Sequence, residues 1–203
     1  MNDFSRLTVG VLALQGDFEA HLRQVALVGA RGVAIRLPQQ LAEISALIIP
    51  GGESTTMNLL IDRFGLREPL MMFGHSKPIW GTCAGMIMLS STIEDNQSGV
   101  QPLGLLDISV RRNGYGRQVF SFEEPVQVRI NEIETTVTAT FIRAPLIMSY
   151  GQGVQPLATY QRTPVLVRQN YVMASSFHTE LDDDTTLLRL FLSNFLLGSP
   201  VRG

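Results

Sequence analysis

Residues 79–85 read Ile-Trp-Gly-Thr-Cys-Ala-Gly, an apolar strand that runs into Gly-x-Cys-x-Gly and then into a helix. This is the layout of a nucleophile elbow with cysteine in place of serine. Small residues two positions before and after Cys83 allow the backbone and the following helix to pack closely, so that the thiol projects from the strand tip. The helix N-terminus favours a thiolate, which is only about 3% populated for an unperturbed thiol at pH 7. The alternative is a buried structural cysteine, the commonest fate of a lone Cys.

The pattern around the elbow predicts the fold class. Short apolar runs alternate with helical segments in the first half, which is typical of a mostly parallel sheet flanked by helices in an α/β fold of three layers. After Leu105, short β-rich pieces predict antiparallel additions and an edge extension. The predicted strands are Leu7–Leu14, Val33–Leu37, Ala46–Ile49, Pro78–Thr82, Asp107–Arg111, Val126–Ile130, Thr135–Ile142, Val165–Arg168 and Tyr171–Ser175, and the predicted helices are Phe18–Gly29, Thr56–Phe64, Ala84–Ser91 and Asp182–Leu197.

Composition narrows the function classes. A length of 203 residues predicts one domain over residues 1–203, and a hydrophobic fraction of 45% is too high for a disordered chain. A single cysteine excludes a disulfide framework and a Cys-rich metal site, and we expect no metal and no cofactor. The net charge of −2 provides no basic surface for nucleic acid. No apolar run approaches the ~20 residues of a membrane span, and Leu7–Leu14 lacks the flanks of a signal peptide, so we expect a cytoplasmic protein.

A late His-x-Glu is the candidate partner of the thiol. His178 and Glu180 follow a predicted strand, and two residues that are two apart in an extended chain lie on the same face. Glu180 is therefore expected to bind one imidazole nitrogen while the other nitrogen faces Cys83. The alternative is a loop histidine beside an unrelated surface carboxylate. His21, on a helix face, and His75, in a loop, have no carboxylate at triad spacing and are assigned no role.

The segment Ile48–Thr56 is a second strand that ends in glycines before a helix. Gly51 and Gly52 allow backbone N–H groups to turn toward an anion or an oxyanion. A phosphate loop is the rival interpretation, weakened by Glu53 in the turn and by the absence of Gly-Lys-Ser/Thr. Ser54 or Thr55 is also a candidate helix cap.

Together these motifs resemble the class I, triad-type glutamine amidotransferases, whose fold is flavodoxin-like. More specifically, the chain is similar to the glutaminase subunits of two-component pyridoxal 5′-phosphate synthases, nearly end to end. Generic amidotransferases share only the elbow, the Gly-Gly turn and the His-x-Glu. The blocks that carry the closer resemblance are Val11–Gly16, Pro50–Met57, Gly81–Gly85, Arg112–Gln118, Phe141–Pro145 and Ser176–Glu180. One departure is Thr179, which stands where that family usually has proline; we expect only local backbone consequences.

The resemblance implies hydrolysis of glutamine through a cysteine thioester. It assigns catalysis to Cys83, His178 and Glu180, and an oxyanion hole to the N–H groups of Gly52 and Ala84. It further places a set of residues around the substrate glutamine, namely Gly52, Glu53, Ser54, Arg112, Ile142 and Arg143. Without the resemblance, surface or structural ion pairing would be the favoured interpretation of either arginine.

The resemblance also implies a partner. Ammonia becomes protonated in water and then is no nucleophile, so a protected path to an acceptor enzyme is expected. In the family, that enzyme is a (β/α)₈ synthase subunit, twelve of which assemble with up to twelve glutaminases, and the free glutaminase is nearly idle. Three alternatives remain open: an amidotransferase that serves another acceptor, a stand-alone cysteine hydrolase or peptidase, and a regulatory subunit that kept the fold.

Overall fold

The computed structural model describes residues 2–94, 96–114 and 121–197. Its strands are β1 (Thr8–Leu12), β2 (Arg31–Ile35), β3 (Ala46–Ile49), β4 (Ile79–Thr82), β5 (Ser90–Ile93), β6 (Leu106–Arg111), β7 (Ser121–Ile130), β8 (Ile133–Ile142), β9 (Leu146–Tyr150), β10 (Gln155–Tyr160), β11 (Thr163–Gln169) and β12 (Val172–Ser175). Its α-helices are α1 (Phe18–Leu27), α2 (Ser54–Arg63), α3 (Arg67–Gly74), α4 (Ala84–Leu89) and α5 (Thr186–Leu192), with a 3₁₀ helix at Pro38–Glu43 and a π-helix at Ser193–Leu197.

A seven-stranded sheet in the order β10-β11-β12-β4-β3-β1-β2 forms the centre of the fold. The five strands from β12 to β2 pair in parallel, and β10 and β11 extend the edge in antiparallel fashion. The carboxyl ends of β3, β4 and β12 therefore lie side by side, and the loops that follow them share one edge of the sheet. This confirms the predicted fold class: a mostly parallel α/β sheet with an antiparallel extension.

Both faces of the central sheet are buried, because alternate residues of each strand enter different cores. Leu47 and Ile49 of β3 pack into one apolar core with α2, α3 and α4. Ala46 and Ile48 pack into the other core with α1 and α5. Apolar residues on both faces are what a parallel strand covered by helices requires. Within the described part of the chain, no helix is long and apolar enough to span a membrane.

The second half of the chain adds two small sheets. The strands β5, β6 and β9 form one, and the long hairpin β7–β8 forms the other. The predicted pieces Val126–Ile130 and Thr135–Ile142 are parts of this hairpin, which pairs Ser121 with Ile142 at its open end and turns between Ile130 and Ile133.

Several predicted boundaries are wrong for identifiable reasons. The last helix begins at Thr186 rather than Asp182, because Asp182 and Asp184 accept hydrogen bonds from backbone N–H groups two residues on, and such turns compete with a helix. Helix α4 ends at Leu89 because the following residues pair with β6 as strand β5. The helix α3 and the strands β5, β9 and β10 were not predicted; each is short, and β5 and β9 form by pairing with β6, which is not adjacent to them in sequence.

Candidate active site

Cys83 occupies a strained turn between β4 and α4. Its φ and ψ angles are 50° and −104°, a backbone conformation that residues other than glycine rarely adopt. The neighbouring glycines are required by close backbone contacts: a Cβ on Gly81 would lie 2.6 Å from the carbonyl carbon of Gly85, and a Cβ on Gly85 would lie 2.1 Å from the carbonyl oxygen of Ile49. The small residues of the elbow therefore let α4 sit directly against β3, as the sequence pattern predicts.

Three strands hold the cysteine in place. The backbone N–H of Cys83 donates to the carbonyl oxygen of Ser175 at the end of β12, at 2.8 Å. The thiol sulfur lies 3.8 Å from the carbonyl oxygen of Ile142 at the end of β8. The residue is 7% exposed, so the thiol sits in a nearly dry site. Cys83 thus lies where the tips of β4, β12 and β8 converge.

Backbone hydrogen bonds to β8 fix the position of His178. Its N–H donates to the carbonyl oxygen of Thr140 on β8 at 2.8 Å, and its own carbonyl oxygen accepts from the N–H of Thr140 at 3.0 Å. The Nδ1 atom of the ring lies 2.5 Å from Oε1 of Glu180, while the ring also hydrogen-bonds Cys83. Residues 83, 178 and 180, far apart in sequence, therefore form one connected group.

The electrostatics of this group favour a charged histidine. Burial lowers the pKa of His178, but the hydrogen bonds with Cys83 and Glu180 and the charges of those two groups outweigh burial and raise the pKa from 6.5 to about 10. Burial raises the pKa of Glu180, but attraction to His21 and the hydrogen bonds of His178 and His21 hold that pKa well below its usual value of 4.5. At neutral pH the pair is an imidazolium beside a carboxylate.

The Gly51-Gly52 turn lies against the histidine. A Cβ on Gly51 would lie 2.3 Å from Cε1 of His178, so only glycine fits beneath the ring. Gly52 has a φ of +144°, and a Cβ at this position would lie 2.4 Å from Oε1 of the Gln15 side-chain amide. The Oε1 atom of that amide accepts from the N–H of Glu53 at 2.9 Å. The other predicted oxyanion residue, Ala84, is the first residue of α4, and the first N–H groups of a helix have no partner within the helix.

Glu53, rather than Ser54 or Thr55, caps α2. Its carboxylate accepts from the backbone N–H groups of Thr55 at 2.9 Å and Thr56 at 2.7 Å. Burial raises the pKa of Glu53, but these bonds outweigh burial and lower the pKa to about 2. Ser54 is buried as the first residue of the helix. The capping prediction for the two hydroxyls is wrong because the longer acidic side chain reaches both N–H groups.

The remaining predicted substrate residues lie in the second half of the chain. Arg112 makes a 3.2 Å ion pair with Glu53 through its Nη2 and also bonds the hydroxyl of Ser98. Ile142 contributes the carbonyl oxygen beside the thiol, and Arg143, exposed, follows it with a φ of 44°. Residues 115–118 of the Arg112–Gln118 block lie outside the described residues.

Two contacts of Glu180 were not predicted from the sequence. His21, assigned no role because it has no carboxylate at triad spacing, is fully buried, with its Nε2 3.4 Å from Oε1 of Glu180. This contact depends on where α1 packs; a histidine on the buried face of an amphipathic helix was the available signal. The backbone N–H of Thr179 donates to Oε2 of Glu180 at 2.9 Å. Thr179 therefore supplies a backbone N–H at a position where proline would have none to donate.

A cysteine elbow on a parallel α/β sheet, facing a buried His–Glu pair, defines the class of triad-type glutamine amidotransferases. Within the described residues, no group of three or more His, Cys, Asp and Glu side chains is placed to hold a metal ion. The model of the SNO glutamine amidotransferase family matches residues 11–197, and the chain belongs to that family.

Curated relatives and solved structures agree with this assignment. The chain is 48% identical over 188 residues to the pyridoxal 5′-phosphate synthase subunit PdxT of Dehalococcoides mccartyi, which covers 92% of this chain and 96% of the relative. It is 49% identical over 187 residues to the protein of the same name from Desulforudis audaxviator, covering 92% and 97%. A crystal structure of a glutamine amidotransferase superposes with a TM-score of 0.86 at 43% identity, covering 91% of this chain and 97% of that one. The predicted family is confirmed.

Proposed function

We propose that this chain is the glutaminase subunit of a pyridoxal 5′-phosphate synthase: it hydrolyses L-glutamine to L-glutamate and ammonia and passes the ammonia to a separate synthase subunit. The observation that carries the chemistry is the connected group of Cys83, His178 and Glu180 at the strand tips. Membership of a glutamine amidotransferase family supports the substrate, and the names of the relatives support the acceptor.

The proposed reaction begins at the thiol. Its sulfur attacks the side-chain amide carbon of glutamine, and the C=O bond opens to a tetrahedral oxyanion. With a pKa of about 10, His178 holds the former thiol proton at neutral pH and delivers it to the departing nitrogen as the C–N bond breaks. Glu180 orients the imidazolium and balances its charge. Water then cleaves the thioester, which releases glutamate and restores the thiol.

The oxyanion and the substrate need donors that the neighbouring turns supply. We assign the oxyanion hole to the N–H groups of Ala84 and Gly52. Around the glutamine we assign Gly52, Glu53, Ser54, Arg112, Ile142 and Arg143. The carboxylate of Glu53 suits the α-ammonium of the substrate, and an arginine suits its α-carboxylate through a bidentate contact. The 3.2 Å ion pair between Glu53 and Arg112 supports this assignment, because the two charges are close enough to contact one substrate.

The proposed partner is a (β/α)₈ synthase subunit, twelve of which assemble with up to twelve copies of this chain in the cytoplasm. Residues 1–203 act as one glutaminase domain, and the acceptor site lies on the partner. Gating by the partner is physically available, because the Gly51-Gly52 peptide can flip at low steric cost and turn an N–H into or out of the oxyanion site. Loss of one such donor costs on the order of 10²–10³ in rate, enough for an inactive free state.

The test is a titration of this chain with the synthase subunit while glutamate production is followed. We expect low activity alone and strong activation by the synthase. Gly52→Val should abolish that activation, since a Cβ at this position would lie 2.4 Å from Oε1 of Gln15 in a backbone conformation with a φ of +144°. Gly32→Val is the matched control, because it lies in β2 and its Cβ would meet the side-chain ends of Leu22 at 3.0 Å and Val25 at 3.4 Å, with the nearest backbone atom at an ordinary 3.7 Å.

Two results would contradict the proposal. A free chain that already turns over at the rate of the complex would favour a stand-alone amidohydrolase. A complex that forms but releases no glutamate from glutamine would remove the glutaminase assignment altogether.

A further inference from the structure

We propose that His21 is a positioning residue of the glutaminase reaction, which holds the carboxylate of Glu180 in the orientation that presents Oε1 to His178. The inference rests on the proposed function, because the reaction it serves is glutamine hydrolysis. It adds a fourth side chain, from α1, to a group otherwise built from the strand tips.

The geometry places His21 directly behind the acid. Its side chain is fully buried, and its Nε2 lies 3.4 Å from Oε1 of Glu180 and 3.3 Å from Oγ1 of Thr82. Thr82 is the residue that precedes the cysteine of the elbow. The imidazole edge packs against Trp80 at 5.8 Å between ring centroids and an interplanar angle of 78°. The ring is therefore held by packing and cannot leave the carboxylate without opening the core.

The tautomer follows from which ring nitrogen has partners. In the described structure, Nδ1 of His21 is buried and has no hydrogen-bond partner. A proton on Nδ1 would bury an unsatisfied donor and turn the Nε2 lone pair toward a carboxylate. The proton is consequently on Nε2, aimed between Oε1 of Glu180 and the hydroxyl of Thr82.

This donor completes the surroundings of a buried anion. The Oε1 atom of Glu180 receives His178 at 2.5 Å and His21 at 3.4 Å, and Oε2 accepts the N–H of Thr179 at 2.9 Å. Donors therefore approach both oxygens of a carboxylate that is only 1% exposed. Without His21, Oε1 would lose its second donor, and the hydrogen bond from Thr179 to Oε2 would remain to oppose rotation of the carboxylate away from His178.

The rest of α1 supports the same assignment. Gln24 lies one turn after His21, and its Nε2 donates to the carbonyl oxygens of Thr179 at 2.7 Å and Asp184 at 2.8 Å. The helix thus fixes the backbone on both sides of Glu180 while His21 fixes its carboxylate. Polar residues one turn apart on the buried face of α1 are explained by this contact, whereas packing alone would favour apolar ones.

The expected effect is on the chemical step. His21 touches no predicted substrate residue, so His21→Leu should lower kcat by on the order of 10–100-fold, the range for a lost hydrogen bond to a charged group, and leave KM within about twofold. His21→Gln should recover most of kcat, because its amide N–H can occupy the position of Nε2. Val25→Ala, which truncates a fully buried apolar side chain of the same helix, controls for loss of packing.

The experiment measures kcat and KM of each variant in the complex with the synthase, and thermal melting of each. A second readout uses the free chain without glutamine: the rate of alkylation of Cys83, the only cysteine, by iodoacetamide between pH 4 and pH 9. The titratable groups that face Glu180 are His178 from its own loop and His21 from α1, with Cys83 beyond His178. A poorly oriented Glu180 stabilises the imidazolium less, so the half-maximal pH of alkylation should rise in His21→Leu and return in His21→Gln.

The outcomes separate the two proposals. If the wild-type complex releases no glutamate, the proposed function fails, but the alkylation profiles still test the positioning role of His21. If His21→Leu folds and shows the kcat and alkylation profile of Val25→Ala, the positioning role is refuted. If His21→Leu does not fold, His21→Asn replaces it, because its shorter amide cannot reach Oε1; wild-type kinetics and an unchanged profile in that variant would likewise refute the role.

Discussion

A single methyl group added at Gly85 tests whether the close contact of the elbow with β3 is what aligns the site. In Gly85→Ala, the new Cβ would lie 2.1 Å from the carbonyl oxygen of Ile49 and 3.0 Å from its carbonyl carbon. Both are backbone atoms of the central sheet and cannot rotate away. Restoring an ordinary contact requires the start of α4 to move by roughly 1 Å.

That displacement has two calculable consequences. Overpacking of this kind costs about 1–3 kcal/mol, partly offset by the roughly 1 kcal/mol by which alanine is the better helix former. The net loss is therefore at most about 2 kcal/mol, and at about 2–4 °C per kcal/mol for a chain of this size the melting temperature should fall by up to about 8 °C. A misplacement of about 1 Å at the reacting groups costs on the order of 10² in rate, here because Cys83 and the N–H of Ala84 move together.

The assay is glutamate release by the synthase complex, at a temperature where circular dichroism shows both proteins folded. Gly32→Ala is the control, since in this exposed part of β2 its Cβ would meet side-chain methyl groups of Leu22 and Val25 at 3.0 and 3.4 Å and no backbone atom closer than 3.7 Å. We expect kcat to fall about 10²-fold in Gly85→Ala and to be unchanged in the control. If Gly85→Ala retained wild-type kcat and melting temperature, the reasoning that links backbone contact to alignment would be refuted.

Four further predictions concern the candidate triad and its neighbour. Cys83→Ala should abolish glutamate release with little change in melting temperature, and measurable turnover by this variant would exclude a thioester. A glutamine-analogue electrophile should label Cys83 alone in the wild-type protein, as mass spectrometry of the intact protein would show. Glu180→Gln should still bind glutamine but lose most of kcat, because a neutral amide cannot balance the imidazolium of His178; a fully active variant would remove Glu180 from the site. The pKa of Glu180 is lowered in the folded chain, so the stability that its charge supplies is complete above about pH 4.5 and is lost as the pH falls. The difference in melting temperature between wild type and Glu180→Gln should therefore shrink below that pH. A difference that stays constant would contradict the lowered pKa. Thr179→Pro should lose about 1.5–3 kcal/mol of stability with the N–H that donates to Glu180, whereas Thr179→Ala keeps that N–H; equal urea midpoints for the two would show that the bond is unimportant.

The local patterns of the chain were sufficient for much of the fold. Residues 46–49 were predicted as a strand with the bounds that the structure shows, because a short run of consecutive apolar residues is typical of a strand buried on both faces of a covered sheet. The elbow was predicted with its two glycines, since the close approach of backbone to backbone depends on residue size alone. Elements whose existence depends on distant pairing, such as β5 against β6, were missed, because nothing within four residues of sequence specifies the partner strand.

The sequence by itself determined the class of chemistry: a lone cysteine in an elbow, a Gly-Gly turn and a His-x-Glu are local features whose spacing is fixed by short-range backbone geometry. The tertiary structure alone decided what surrounds the acid. His21 meets Glu180 across 159 positions of the chain because α1 packs against the loop that follows β12. Contacts of this kind depend on how helices dock onto the sheet, and docking is set by the summed packing of the whole core, which no local pattern encodes.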